Sequence, residues 1–145
     1  MMSKHKDLIS ATDDFFKTYW NCKNEVLPDW SKHWVFVNSV PNHEKRGCYA
    51  LLENDEIIYV GSALGSGYRN YKGNGLGFRL KRYYMVDKNN KSTQRKYMPT
   101  EDWSNLTSIV TIGFPDEHYH LAAALEIYLI TKLNPRRNKL HRNDE

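Results

Sequence analysis

The chain has 145 residues, of which 40% are hydrophobic and 26% charged, which favours one folded domain and excludes wholesale disorder. Two cysteines, Cys22 and Cys48, are too few for a disulfide framework or for a zinc site built from cysteines. The first ten residues lack the apolar core of a signal peptide. The longest nearly apolar stretch, residues 121–130, is about half the length of a membrane span. We therefore expect a soluble protein of the cytoplasm.

The positive charge is concentrated in one central segment. Residues 59–97 carry nine basic side chains and one acidic side chain, whereas residues 98–131 carry five acidic side chains and no basic one. The tail, residues 132–145, carries five basic side chains and two acidic ones. Such blocks attract polyanions by neutralising phosphates, and the central block also contains aromatic side chains on which bases could stack. The pattern favours a nucleic acid as partner, although a solvated basic loop would look the same.

The first third of the chain predicts a helix followed by extended segments. Apolar residues at helical intervals predict a helix over residues 8–22, with Thr12 as its N-cap. A short strand is predicted over residues 33–37. Two strand-like runs, residues 47–53 and 56–61, flank Asn54-Asp55 and predict a hairpin.

The rest of the chain predicts loops alternating with a strand and two helices. The segments are a glycine-rich, mobile loop over 62–77, a helix over 76–85, a second loop over 87–105, a strand over 106–114, and a helix over 117–133 that Asn134-Pro135 ends. The order helix, strand, strand, helix, strand, helix predicts an α+β fold, with a small sheet covered by helices.

Glu126 lies in the middle of the apolar face of the last predicted helix. At 100° per residue, the six residues within 60° of it are all largely apolar, namely Tyr119, Ala122, Ala123, Leu129, Ile130 and Leu133. Burying a carboxylate costs several kcal/mol unless a charge compensates it. The sequence therefore predicts a cation or an Arg such as Arg79 beside Glu126, either in a functional site or in a structural ion pair.

Several short motifs, in this order, resemble the GIY-YIG nuclease family. Gly47-Cys48-Tyr49 and Tyr59-Val60-Gly61 lie on the two hairpin strands, with Cys in place of the middle Ile of the first motif. Arg79 is followed by Tyr83 four residues later, and Glu126 by Asn138 twelve residues later. The pattern is similar to small GIY-YIG endonucleases and to the nuclease domain of the bacterial excision-repair incision protein, including Tyr rather than His at position 83.

The resemblance implies a fold and a division of the chain. The fold is α+β, with a small three-stranded, mainly antiparallel sheet flanked by helices. Residues 47–145 would form the nuclease core with its basic C-terminal tail. Residues 1–46 have no counterpart in the minimal domain, and we expect them to pack on the same domain as an N-terminal helical extension. The aromatic residues of that extension could form a homodimer interface or cover the sheet.

The resemblance also implies a one-metal hydrolysis of DNA phosphodiester bonds. Glu126 would bind Mg²⁺ or Mn²⁺, which prefer oxygen ligands, and Arg79 would clamp the scissile phosphate. Tyr49 would be the general base, or would orient the water that acts as one, which requires its pKa to be lowered by the metal and Arg79. Tyr59 and Tyr83 would position water or phosphate, and Asn138 would hold the site together. Further contacts to substrate are expected from Gly61, Arg69, Lys72, Lys81, Arg82, Arg136 and Arg137.

One geometric condition follows from the hairpin. A regular two-residue turn at Asn54-Asp55 would pair Tyr59 with Ala50 and would place Tyr49 and Tyr59 on opposite faces of the sheet. If the two tyrosines share one site, the hairpin must contain a bulge or a three-residue loop that pairs Leu51 with Tyr59 instead.

Alternative functions remain open on the sequence. The same fold could bind nucleic acid without cutting it, and RNA could replace DNA, because a phosphate clamp does not distinguish them. His118 and His120 do not predict a metal pair, since they lie 160° apart on the helical wheel.

Overall fold

A computed structural model describes residues 2–66 and 72–143 as an α+β fold. The elements are α1 (His5–Tyr19), β1 (Arg46–Glu53), β2 (Glu56–Ala63), α2 (Gly75–Leu80), β3 (Tyr84–Val86), β4 (Tyr97–Pro99), β5 (Ser108–Phe114) and α3 (His120–Leu133). Three strands form an antiparallel sheet in the order β2-β1-β5, and two short strands, β3 and β4, form a separate antiparallel pair. None of the helices in these residues combines the length and the hydropathy that a membrane span requires.

The sheet has a core on each face, because β1 is the central strand and its side chains alternate. Cys48 and Ala50 lie in the core beneath α1 and α3. Tyr49 and Leu51 lie in the opposite core, against α2. The sheet therefore separates α3 from α2, and a site that uses residues of both must form at an edge of the sheet.

The N-terminal helix begins three residues earlier than predicted and ends at Tyr19. Thr12 is not its N-cap, because the helix is capped at Lys4. The backbone N–H of Lys4 donates a 2.8 Å hydrogen bond to the Asp7 carboxylate in the first turn. Thr12 is buried inside the helix, where its hydroxyl donates to the Leu8 carbonyl and accepts the Trp30 indole N–H, both at 2.8 Å. The polar side chain thus ties the helix to the segment that follows it.

The predicted strand over residues 33–37 is wrong. Trp34 makes two backbone hydrogen bonds with Ile109 of β5, of 2.8 and 3.1 Å, but this is an isolated bridge. The extended conformation stops at Phe36 and Asn38, which both have positive φ, 69° and 61°. Trp34 and Phe36 are buried, so these aromatic residues of the N-terminal segment cover the sheet rather than remain free for a partner.

The hairpin has the irregular register that a shared tyrosine site requires. Leu51 pairs with Tyr59, and Leu52 pairs with Ile57, so Ile58 is the extra residue of a bulge. Asn54 provides the positive φ of the turn, 55°. The predicted pairing of Leu51 with Tyr59 is confirmed, and it places Tyr49 and Tyr59 on the same face.

The segment after β2 departs most from the predicted elements. Helix α2 ends at Leu80 rather than near residue 85, because Tyr84 enters β3 and pairs with Pro99 of β4. The predicted loop over 87–105 therefore contains β4 and a single 3₁₀ turn, Glu101–Trp103. Arg69 and the aromatic residues beside it lie outside the described residues.

The last helix agrees closely with its prediction. A 3₁₀ turn, Asp116–His118, precedes α3, and Asn134 ends α3 with a φ of 51°. Ala122, Leu129, Ile130 and Leu133 are buried around a partly buried Glu126, as the wheel predicts.

Candidate active site

Three of the predicted site tyrosines form one cluster on the α2 face of the sheet. The hydroxyls of Tyr49 and Tyr83 are 2.7 Å apart. The ring of Tyr59 lies 6.3 Å from each of the other two, measured between ring centroids. Trp103 packs edge-on against Tyr59 and Tyr83 at 5.6 and 5.1 Å. Trp103 belongs to the segment predicted as a loop, so nothing in the sequence pattern assigned it to this cluster.

Gly61 makes room for the tyrosine cluster. It pairs with Tyr49 across the hairpin, and a Cβ atom at this position would overlap Cζ and Oη of the Tyr49 ring. The sequence predicts Gly61 as a substrate contact. In the structure the space beside its backbone is filled by Tyr49, so the missing side chain lets the hydroxyl end of that ring approach β2 closely.

Burial affects the pKa of Tyr49 more than the neighbouring positive charge does. Its side chain is 0% exposed. Burial raises the pKa of Tyr49, although the hydrogen bond with Tyr83 and the adjacent Arg79 guanidinium act in the opposite direction. Burial, with the Tyr49 hydroxyl as a second cause, also raises the pKa of Tyr83. Arg79 thus acts in the expected direction on the pKa of Tyr49, but burial outweighs it; Tyr59 is the least buried residue of the three.

Arg79 reaches the cluster from the last turn of α2. Its Nε is buried and has no hydrogen-bond partner among the described residues. A buried, unsatisfied guanidinium donor is costly in a folded protein. An anion held at this position would satisfy it, and the fixed fork of guanidinium donors matches the oxygens of a phosphate.

Glu126 approaches the same edge of the sheet from the opposite face. Its Oε1 accepts a 2.6 Å hydrogen bond from the Ser62 hydroxyl on β2. Ser62 and Arg79 both line a cavity of about 240 Å³ at this edge. Arg79 is not an ion-pair partner of Glu126: the ion pairs of the described residues do not include this carboxylate. A partly buried carboxylate with one neutral donor has ligand capacity left for a cation.

Cys48 lies next to this carboxylate, where the family pattern has Ile. Its thiol is buried and donates a 3.0 Å hydrogen bond to the Ala122 carbonyl. Burial, and then the charge of Glu126, raise the pKa of Cys48 well above its ordinary value. Cys48 is therefore a neutral packing residue beneath the site.

Asn138 fastens the C-terminal tail to the free edge of β2. Its Oδ1 accepts the N–H of Val60, and its Nδ2 donates to the carbonyl of Val60, both at 2.9 Å. The N–H of Arg137 donates to the Ile58 carbonyl at 3.0 Å. The side chain thus satisfies both backbone groups of one edge residue, which agrees with the holding role expected for Asn138.

The basic residues divide into two groups. A cavity of about 690 Å³ beside the tyrosines is lined by three of the proposed substrate contacts, Arg82, Arg136 and Arg137, and by Lys139 and Arg142, which the sequence analysis did not single out. The Arg137 guanidinium lies 3.5 Å above the Trp103 ring. Arg136 is ion-paired with Glu53 and Glu56, so its charge is already compensated.

The other expected substrate contacts lie elsewhere. Lys81 is exposed, with its ammonium 4.5 Å above the Phe78 ring. Lys72 is exposed directly after the undescribed segment that contains Arg69. Neither Lys81 nor Lys72 lines the cavity beside the tyrosines.

No protein-family model, curated protein or solved structure matches the chain. Any assignment of function therefore depends on the residues and their geometry.

Proposed function

We propose that the chain is a metal-dependent DNA endonuclease of the GIY-YIG type. The observation that carries the proposal is the bulged hairpin register, which gathers Tyr49 and Tyr59 on the face that Arg79 reaches. A regular hairpin would have separated them. Glu126, although it belongs to the opposite face, reaches the same sheet edge through Ser62.

The phosphate-binding part of the proposal rests on Arg79. Its buried Nε has no described partner, and the adjoining cavity is open to a ligand. Arg79 would hold two oxygens of the scissile phosphate and stabilise the negative charge that grows there during hydrolysis.

The metal-binding part rests on Glu126, whose carboxylate suits Mg²⁺ or Mn²⁺. Ser62 fixes the orientation of this carboxylate by donating to one of its oxygens. The bound ion would supply Lewis acidity and lower the pKa of a coordinated water. With only one carboxylate available, water and substrate phosphate would complete the coordination.

The tyrosines would orient the attacking water rather than take its proton unaided. Tyr49 is buried, its pKa is raised, and its hydroxyl is bonded to that of Tyr83. Tyr59 is partly exposed and lines the cation-rich cavity, so its hydroxyl is the one best positioned to contact a water or a phosphate oxygen.

We expect the protein to act on its substrate in the cytoplasm.

A non-cleaving nucleic-acid-binding module is the second candidate. The hydrogen bond between Tyr49 and Tyr83 favours it, because the two buried phenols hold each other in place and the raised pKa of each keeps it neutral, which makes either a poor general base. The cation-rich cavity beside Tyr59 would serve binding equally well.

Incubation with supercoiled plasmid, single-stranded DNA and RNA separates these candidates. Each substrate is tested with Mg²⁺, with Mn²⁺ and with EDTA. The proposal predicts nicking or linearisation of DNA that requires the metal. Salt-sensitive binding with no cleavage of any substrate would favour the binding module, and cleavage of RNA alone would replace DNA as the substrate.

A further inference from the structure

A second cluster of metal-ligand side chains shares no residue with the tyrosine cluster. Cys22 and Glu25 follow α1, and His118 lies in the 3₁₀ turn before α3. One ligand atom from each residue lies within 4.8 Å of the other two. The sequence did not predict this grouping, because Cys22 and His118 are 96 positions apart and the count of two cysteines excludes only a zinc site built from cysteines.

The distances match those between neighbouring ligands of a tetrahedral metal. His118 Nε2 lies 3.2 Å from Cys22 Sγ and 3.1 Å from the Glu25 Oε2. With Zn–S near 2.3 Å and Zn–N and Zn–O near 2.0–2.1 Å, tetrahedral ligands are separated by about 3.5 Å for S and N and about 3.3 Å for N and O. The observed spacings are slightly shorter, so the ligand atoms must move apart, and the imidazole must turn, to admit the ion.

Hydrogen bonding explains this convergence less well than a metal does. Both Cys22 and Glu25 approach the same imidazole nitrogen, which carries either one proton or one lone pair. It can therefore donate to the carboxylate or accept from the thiol, but it cannot do both. Cys22 Sγ also lies 3.6 Å from Nδ1, so the sulfur sits beside the face of the ring, and a turn of the imidazole would point the Nε2 lone pair at an ion between the two residues. A cation at the centre would use a lone pair from each of the three residues.

The surroundings restrict the movement of the ligands. The Trp20 ring packs edge-on against the His118 ring at 5.4 Å. The N–H of Glu25 points to the Cys22 carbonyl at 3.4 Å, in a turn that brings both side chains to the same side. The His118 side chain is only 23% exposed, so the imidazole is partly withdrawn from solvent.

We infer that Cys22, Glu25 and His118 bind Zn²⁺ and so fasten the segment after α1 to the start of α3. A thiolate and an imidazole select a borderline ion such as Zn²⁺ over Mg²⁺. Binding requires the Cys22 thiol to lose its proton to solvent, so affinity rises with pH. Three protein ligands leave a fourth position for water. This site is chemically distinct from Glu126, and it does not depend on the proposed nuclease activity.

Titration of the reduced full chain with Zn²⁺, followed by calorimetry and thermal unfolding, tests the inference. The wild-type chain should bind one ion and show a Tm that rises with the metal concentration. Cys22→Ser and His118→Gln should each weaken binding by more than about a hundredfold, since loss of even an outer-shell partner costs roughly 10–100-fold. His120→Gln, which removes an exposed histidine two residues further along, should bind Zn²⁺ as the wild type does.

Cobalt substitution checks the ligands directly. Co²⁺ bound at this site should show a thiolate-to-metal charge-transfer band that disappears in Cys22→Ser. Glu25→Gln changes an exposed loop residue and should weaken binding without disturbing the fold. Absence of saturable Zn²⁺ binding by the wild type, or unchanged binding in Cys22→Ser, would overturn the inference. Neither readout depends on DNA cleavage.

Discussion

The hydroxyl end of the Tyr49 ring occupies the space that a side chain on Gly61, its partner on the neighbouring strand, would fill. This contact brings the Tyr49 hydroxyl to 2.7 Å from that of Tyr83. The tyrosine cluster therefore depends on a missing side chain in β2 as much as on the tyrosines themselves.

Gly61→Ala should disrupt the cluster. The added Cβ would overlap the Tyr49 ring, which must move or strain the hairpin, at a cost of about 1–3 kcal/mol in the free energy of unfolding. If the cluster orients the reacting groups, the cleavage rate should fall by roughly a hundredfold. Gly65→Ala is the matched control, because nothing lies within 4 Å of a Cβ added there. Full activity and stability in Gly61→Ala would show that the contact is unimportant.

The raised pKa of Tyr49 predicts a loss of stability in alkali. A folded-state pKa above the unfolded value means that the folded chain holds the proton longer, so the contribution is complete below about pH 10. It is lost as the pH rises toward the folded-state pKa. Urea unfolding between pH 8 and about 11 should therefore show a steeper decline for the wild type than for Tyr49→Phe. Tyr19→Phe alters an exposed tyrosine and should keep the wild-type slope, whereas parallel curves for Tyr49→Phe and wild type would contradict the prediction.

Asn138→Ala should loosen the C-terminal tail. It removes two 2.9 Å hydrogen bonds and leaves the backbone groups of Val60 unpaired at the sheet edge. Each unsatisfied group costs about 1–3 kcal/mol when it stays buried, and entry of water would reduce the total. Hydrogen exchange at the Val60 amide measures the effect directly, and the exposed Asn143→Ala provides the control. Unchanged protection of that amide in Asn138→Ala would mean that the tail is held by other contacts.

Two arginines of the large cavity should differ in their contribution to DNA binding. Arg82 is exposed there, whereas Arg136 is paired with Glu53 and Glu56. Arg82→Ala should lower the slope of log Kd against log salt concentration by about one unit, as expected for one lost phosphate contact. Arg136→Ala should change the slope less, and Lys17→Ala on α1 should leave it unchanged. Equal slopes for wild type and Arg82→Ala would remove this cavity from the DNA path.

The sequence predicts the parts of the site that follow a repeating pattern. Side chains alternate between the two faces of β1 and β2, so Tyr49 and Tyr59 can share a face only if the hairpin has a bulge, which it has. The helical wheel likewise located Glu126 on the packed face of α3. These inferences succeed because each uses a period set by backbone geometry.

The remaining features depend on contacts distant in sequence. Trp103 lies in a segment without periodicity, and its place beside Tyr83 is set by the short β3-β4 pair. His118 meets Cys22 only because α1 packs near the start of α3. The burial of Tyr49, which raises its pKa against the opposing effect of Arg79, follows from tertiary packing and not from any local motif.

The most direct test of the central claim, that Glu126 is the metal ligand of a nuclease, is to measure cleavage and binding of the same DNA by Glu126→Gln. Glu117→Gln is the control. Glu117 is an exposed carboxylate in the 3₁₀ turn before α3, so its removal changes the net charge equally. Loss of metal-based charge stabilisation worth several kcal/mol should lower kcat in Glu126→Gln by at least about a thousandfold. The Kd for DNA should stay near that of the wild type, and Glu117→Gln should cut normally. Wild-type cleavage by Glu126→Gln would contradict the assignment of Glu126 as the metal ligand of a nuclease.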